Sequence, residues 1–290
     1  MRPDGPSFNR SLGVVVTGGT SGLGRAMAQE FLLAGDRVVI CGRDRKRLES
    51  ALCQLRDAVS GGKVYGRVCD VSDRMQVRSF AAFAASRLGV IDRWINNAGT
   101  AGGFRRPLWE LDPSDIDETC RTNLSGTMMM CAEVVRIMNS QPVVGPGPGY
   151  HIFNMGFSLP GFRASPTSEP HRISKRAVAL TTAELRRELR AGRIDSVGVH
   201  ELSPGLVLTG LLLKDAGRDE RRFFNAVAEL PESVAAVLVP RIKQAKGMGG
   251  TIRFRSVPHM LARQFASLFG FGKGRFFDPD GRRMPRRDRP

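Results

Sequence analysis

Apolar and polar positions alternate along this chain in a repeating order. Leu12–Thr17 is a short β-branched run that ends in a glycine cluster. Leu23, Met27, Phe31 and Leu32 then recur at helical spacing until Gly35. Arg37–Cys41 reads as a second strand. A polar helix over 44–59, a strand over 63–69, a helix over 73–88 and a strand over Ile91–Ile95 continue the pattern. Four strands alternating with three helices in under 100 residues make βαβ units, whose strands run parallel under crossover helices. Further on, the periodicity predicts a long helix over 114–139, a Pro/Gly turn at Pro142–Gly149 and a strand at Tyr150–Met155. A Pro/Ser-rich loop (158–170), a long helix (171–191) and a strand at Ile194–Glu201 come next. Residues 203–230 read as loop and short helices, 232–245 as a helix and Thr251–Phe254 as an edge strand. The fold class is therefore α/β: a Rossmann-type, doubly wound parallel sheet in a single domain over 12–255. Residues 1–11 are a disordered lead-in, lacking both the apolar core of a signal peptide and a long Ser/Arg-rich transit stretch. Residues 256–290 form a C-terminal extension.

Composition adds little except through charge. The 290 residues are 41% hydrophobic and 25% charged, ordinary for a globular chain. No uncharged apolar run reaches the roughly 18 residues of a membrane-spanning helix. The five cysteines are scattered without a CxxC pair, which argues against a zinc ribbon or a secreted disulfide framework and favours a reducing compartment. The net charge is +16, and residues 241–290, with 13 Lys/Arg against 3 Asp/Glu, supply +10 of it. The excess belongs to the tail, where it either stays solvated or meets an anionic partner.

Candidate chemistry begins at Thr17-Gly-Gly-Thr-Ser-Gly-Leu-Gly24, between the first strand and the first helix. In a doubly wound sheet this turn faces the nucleotide crevice. Gly18, Gly22 and Gly24 let the backbone turn tightly beside a pyrophosphate, and the helix N-terminus offers free N–H groups to it. The second strand ends in Cys41-Gly42-Arg43, with no acid for a ribose hydroxyl. Arg43 matches a 2′-phosphate, so the cofactor reads as NADP(H) rather than NAD(H). Asp70 either accepts from an adenine amino group or caps the next turn.

With Asn96-Asn97-Ala98-Gly99, Asn123 and Ser203-Pro204-Gly205 followed by Thr209 added, the chain resembles the short-chain dehydrogenase/reductase family over about 200 residues. The resemblance implies that the Asn-Asn-Ala-Gly turn steadies the central strand beside the cofactor. It also implies that the Pro-Gly loop and its threonine lie near the nicotinamide. The cofactor-binding set is then Thr17, Gly18, Thr20, Ser21, Gly22, Leu23, Gly24, Arg43, Asp70, Val71, Asn97, Ala98, Gly99, Lys175, Pro204, Gly205, Val207 and Thr209. No metal is implied. Within that family, Asp92–Gly99, Gly149–Met155, Val199–Gly205, Phe223–Glu229 and Thr251–Phe254 are similar to chlorophyll(ide) b reductases of the non-yellow-coloring-like type. That likeness implies NADPH-dependent reduction of the 7-formyl group of chlorophyll(ide) b to 7-hydroxymethyl, on the stromal face of the chloroplast thylakoid.

Family members reduce carbonyls with a Ser, a Tyr-x-x-x-Lys pair and an upstream Asn. Here the catalytic candidates are Asn123, Ser158, His171 and Lys175, with His171-Arg-Ile-Ser-Lys175 carrying histidine where the family has tyrosine. Positions i and i+4 share a helix face, so His171 and Lys175 converge. Imidazole, with a reference pKa near 6.5, is the acid that remains, although a neighbouring lysine disfavours its protonated form. The tyrosines, Tyr65 and Tyr150, do not fit that helix. Two other readings stay open: a catalytically impaired NADP-binding partner in a pigment-handling complex, and a general carbonyl reductase.

A broad, flat pigment requires an open apolar rim. Rim candidates are Phe104, Leu108, Trp109, Phe157, Phe162, Leu206–Leu213, Phe223 and Phe224, with 206–230 as the lid. Val257–Phe271 has helical apolar spacing, and basic residues follow it, the pattern of a surface-binding amphipathic helix. The partners this suggests are a thylakoid surface or a light-harvesting complex. Nucleic acid is not among them, because the basic tail lacks interleaved aromatics beyond Phe276 and Phe277. Assembly as a homo-oligomer, or with a related reductase, follows from the resemblance alone.

Overall fold

The computed structural model describes residues 10–103, 106–143, 145–156, 167–214, 216–256 and 274–284. Ser158, Phe104, Phe157, Phe162, the Val257–Phe271 stretch and nearly all of the lead-in lie outside them. In chain order the elements are β1 (Gly13–Val16), α1 (Gly22–Leu33), β2 (Arg37–Gly42), α2 (Arg45–Ala58), β3 (Val64–Val68), α3 (Arg74–Leu88) and β4 (Arg93–Asn96). Then come α4 (Pro113–Cys120), α5 (Gly126–Asn139), β5 (Tyr150–Met155), α6 (Glu169–Ala191) and β6 (Val197–Ser203). The chain continues with α7 (Gly210–Leu213), α8 (Arg218–Val227), α9 (Pro231–Lys243) and β7 (Thr251–Arg253).

All seven strands pair parallel in the order β3-β2-β1-β4-β5-β6-β7. Strand order reverses between β1 and β4, and the crevice beyond their C-terminal ends is where such sheets bind ligands. Alternation within the strands separates two apolar layers. Val14, Val16, Ile40, Ile95 and Phe153 pack with α1 and α9. Val15, Val39, Trp94 and Ile152 pack with α3 and α5 on the other face. Burial on both faces is why these strands read as continuous apolar runs. Among the described residues no helix is long and apolar enough to cross a membrane.

The structure departs from the periodicity in three places. The fourth strand begins at Arg93, because Asp92 turns its carboxylate to the Gly13 N–H at 2.7 Å. The sixth is shifted to Val197–Ser203, after a turn at Arg193, whose φ is 54°. The helix read over 114–139 is α4 and α5 joined by a π turn, Arg121–Ser125, which contains Asn123. Such wide turns free backbone groups and often mark functional sites.

Leu206, Leu208, Leu212, Phe224 and Ala228 form a third, smaller apolar cluster with Phe277. Most of the rim proposed over 206–224 is therefore core, because these side chains need one another to leave water; Leu211 stays 41% exposed. The described tail residues fasten onto this unit. Asn225 accepts the N–H groups of Phe276 and Phe277 through Oδ1 and donates to the Phe277 carbonyl at 2.8 Å. Glu229 accepts from Arg275 at 2.8 Å and from Arg255.

Candidate active site

The glycine bend is held by Thr17 and Asn97. Thr17 Oγ1 accepts the N–H groups of Asn97 and Ala98, both at 3.0 Å. Asn97 Nδ2 donates to the carbonyls of Thr17 (2.9 Å) and Gly18 (3.2 Å). The bend is thus pinned to the end of β4, on the other side of the switch point. Gly18 and Gly22 have φ of 65° and 54°, where a side chain is strained. Ser21, at the N-cap of α1, makes no side-chain cap bond. By contrast, Asp44, Asp73, Asp112, Ser168 and Thr209 cap their helices. The first-turn N–H groups of α1 stay available to an anion. This bend fits a dinucleotide pyrophosphate.

Gly24 has no room for a side chain. A Cβ there would lie 2.3 Å from the Gly18 carbonyl oxygen and 2.4 Å from Asn97 Nδ2. Gly24→Ala is expected to push these apart, weakening nicotinamide-dinucleotide binding at least about tenfold and costing about 1–3 kcal/mol of stability. Fluorescence titration and denaturant melts check this; an unchanged affinity would show that the bend does not hold the cofactor.

Arg43, at the end of β2, pairs with Glu118 at 2.8 Å, both side chains more than half exposed. Such a surface pair is weak, so a phosphate can replace the carboxylate. Thr20 packs over Gly42 beside it, within 2.4 Å of where a Cβ would stand. Asp70 caps its turn through Oδ1, which accepts the Ser72 N–H at 2.9 Å and the Ser72 hydroxyl at 2.7 Å. Leu23 and Val71 are buried, and Val207 packs against the main core while bridging to Glu229. Their side chains serve packing, which leaves only backbone groups for a cofactor. Gly205 turns at φ 74°, and Thr209 then reaches back to within 2.8 Å of a Cβ placed on Gly22. The loop after β6 thus touches the glycine bend.

Asn123, His171 and Lys175 come together around Thr100. Asn123 Oδ1 accepts the Thr100 N–H at 2.8 Å, and its Nδ2 donates to the Thr100 carbonyl (2.9 Å) and to Ser174 Oγ (3.0 Å). The Ser174 hydroxyl donates to the His171 carbonyl at 3.0 Å. His171 Nδ1 lies 2.7 Å from the Thr100 carbonyl oxygen. A carbonyl carries no proton, so Nδ1 is the donor and Nε2 of the neutral ring holds the lone pair. Burial, with Lys175 and Arg172 nearby, pulls the His171 pKa down to about 4. Lys175 is half-buried, and desolvation pulls its ammonium down to about 8. Gly99 marks the convergence: a Cβ there would stand 3.0 Å from Asn123 Oδ1 and 3.3 Å from Lys175 Nζ. Tyr150 is buried in the sheet, its hydroxyl donating to the Pro142 carbonyl.

Two contributors escaped the sequence reading. Thr100 acts through its backbone, which no side-chain pattern reports. Ser174 lies inside the His-x-x-x-Lys stretch and was legible only as a residue on the same helix. Among the described residues, no group of three His, Cys, Asp or Glu side chains is placed to hold a metal ion.

A family model described as short chain dehydrogenase matches residues 13–219. The chain is 39% identical over 281 residues to a chlorophyll(ide) b reductase, chloroplastic, of Oryza sativa subsp. japonica, covering 95% of this chain and 79% of that one. It is 37% and 36% identical to the probable chlorophyll(ide) b reductases, chloroplastic, of Oryza sativa subsp. japonica and Arabidopsis thaliana, covering 93% of this chain in each case. It spans only about half of their length, 54% and 55%. Among solved structures, an actinorhodin polyketide ketoreductase with NADPH superposes with a TM-score of 0.70 at 25% identity, covering 84% of this chain and 96% of that one. A fold-level match, at 24% identity and a TM-score of 0.70, is the 3-oxoacyl-acyl-carrier-protein reductase of Brucella melitensis in complex with NAD; it covers 86% of this chain and 96% of that one. With the pinned glycine bend at the switch point and the Asn123–Lys175 convergence, these matches show that the chain belongs to the short-chain dehydrogenase/reductase family.

Proposed function

We propose that this chain reduces the 7-formyl group of chlorophyll(ide) b to 7-hydroxymethyl chlorophyll(ide) a with NADPH, at the stromal face of the chloroplast thylakoid. The observation that carries this reading is its 36–39% identity to chlorophyll(ide) b reductases over 93–95% of the chain. When bound, the dinucleotide supplies a hydride to the formyl carbon. Thr17, Gly18 and Ser21–Gly24 would hold the pyrophosphate and Arg43 the 2′-phosphate, and Lys175 and Asn123 would flank the reacting edge. Residues Asn97–Gly99 and Pro204–Thr209 close the sides.

Exposed apolar residues suit a flat pigment. Leu108 and Trp109 are 43% and 85% exposed after the β4 loop, and Leu211 lies on α7. Lys214, just beyond α7, donates to the Gly102 carbonyl at 3.4 Å and so links these two segments. Met128 on α5 and Ile173 and Leu180 on α6 are also exposed, which supports pairing with a second copy or a related reductase. The positive charge of residues 241–290 supports contact with a thylakoid surface or a light-harvesting complex.

The test uses purified protein, chlorophyllide b and either NADPH or NADH, with the hydroxymethyl product as readout. Product should form faster with NADPH, and Arg43→Ala should raise the KM for NADPH about tenfold while leaving that for NADH unchanged. NADPH binding without product would instead indicate the non-catalytic partner. Turnover of simple aldehydes alone would indicate a general carbonyl reductase.

A further inference from the structure

We infer that Lys175, rather than His171, gives the proton to the substrate oxygen. The inference rests on the reductase reading above and assigns a role within the same site. Its first support is the wiring of the histidine. Nδ1–H is committed to the Thr100 carbonyl at 2.7 Å, a carbonyl that Asn123 Nδ2 also holds at 2.9 Å. Moving that proton to Nε2 would leave a buried acceptor with one partner fewer and place a lone pair against a carbonyl oxygen. The neutral ring therefore offers the site an acceptor, and a group with only an acceptor to offer cannot protonate an alkoxide.

The second support is the accounting of other protons among the described residues. The Ser174 hydroxyl proton goes to the His171 carbonyl and that of Ser168 to the Ala101 carbonyl. Both Asn123 amide protons are committed, and an amide does not titrate. Lys175 Nζ remains. It stands beside Gly99 together with Asn123 Oδ1, and it has three protons, so it can hold a ribose hydroxyl and still face the substrate. His171, one turn earlier on the same helix, is the titratable neighbour coupled to Lys175. Desolvation is what lowers the ammonium to about 8. At neutral pH it is charged and yet readily gives up a proton, as efficient general acids do.

The step balances. As hydride reaches the formyl carbon, the C=O π pair becomes a lone pair on oxygen. One Nζ–H bond breaks and an O–H bond forms, giving the hydroxymethyl group and a neutral amine. Water then returns a proton to the amine.

The test combines a pH profile, one variant and a readout that needs no turnover. Wild-type kcat should be flat from pH 6 to 7.5 and fall about tenfold per pH unit above about 8. Lys175→Arg keeps the charge and the ribose donors but does not release its proton. It should keep NADPH affinity within about fivefold, by fluorescence titration, and lose kcat more than about 100-fold. In the unliganded protein, acetylation of Lys175 by acetic anhydride, followed by peptide mass spectrometry, should rise through the same pH as the kinetic limb. A kcat already falling between pH 5 and 7, full activity in Lys175→Arg, or labelling that titrates near 10 would overturn the assignment and leave the reductase reading intact. NADPH binding with no turnover at any pH would overturn both.

Discussion

Replacing His171 with tyrosine is expected to raise kcat for a formyl substrate by about 10- to 100-fold, at the lower end of what a positioned general acid contributes. A phenol keeps its proton at pH 7 and so donates from a position where the neutral imidazole does not. Lys175, one helical turn away, would stabilise the phenolate that forms. The exchange has a structural cost. The Thr100 carbonyl loses the Nδ1–H bond, worth about 1 kcal/mol, although Asn123 Nδ2 continues to hold it. Stability should therefore drop slightly while turnover rises. The measurements are kcat at pH 7, NADPH affinity and a denaturant melt. A lower kcat with unchanged NADPH binding would mean that the imidazole takes part in the chemistry.

Acidification should destabilise the fold steeply between pH 7 and pH 5. Three histidines are buried and neutral. His151 and His200 face each other between β5 and β6, Nδ1 to Nε2, at 2.9 Å. Burial and the Arg93 guanidinium lower them to about 3 and about 4, and burial lowers His171 to about 4. In each case the folded pKa lies below the unfolded value near 6.5, so the unfolded chain binds protons first as pH falls. Their stabilisation is complete above about pH 7 and is lost on the way down to about pH 4. From pH 7 to pH 5 that is about 2 kcal/mol per histidine, against a typical total of 5–15 kcal/mol. The sharing of one contact by His151 and His200 makes a second proton on that pair harder still. Denaturant midpoints at the two pH values test this. The double variant His151→Gln with His200→Gln should remove more than half of the pH dependence; a wild-type midpoint that does not move would refute it.

Arg93 explains why this polar pair is tolerated inside the sheet. Its guanidinium donates to the carbonyls of Ile242 (3.1 Å) and Lys243 (2.9 Å) at the end of α9, and to those of Asp92 (2.9 Å) and Gly149 (3.2 Å). Burial lowers its pKa to about 10, so it remains charged. One buried cation thus satisfies a helix terminus and adds to the burial that keeps two histidines neutral. Nothing in a run such as Asp92-Arg-Trp-Ile95 announces that.

The amino-acid order by itself determined the winding of the fold. Local period dictates strand or helix, and parallel strands joined by single helices leave few ways to stack. It also settled the glycine bend, since Gly18, Gly22 and Gly24 meet local steric demands that a one-dimensional pattern records. The family pattern already grouped Asn123, His171 and Lys175, and the fold brings them together around Thr100. Tertiary structure alone decided what those side chains do there. Which ring nitrogen of His171 carries the proton depends on a carbonyl 71 residues away, and the depressed ammonium of Lys175 depends on how much protein surrounds it. The same holds for most of the apolar residues after Gly205, read as a pigment rim but enclosed with Phe277 in a core of their own. Hydrogen-bond direction and solvent exclusion are properties of groups assembled from distant segments, so they enter only once the chain has closed on itself.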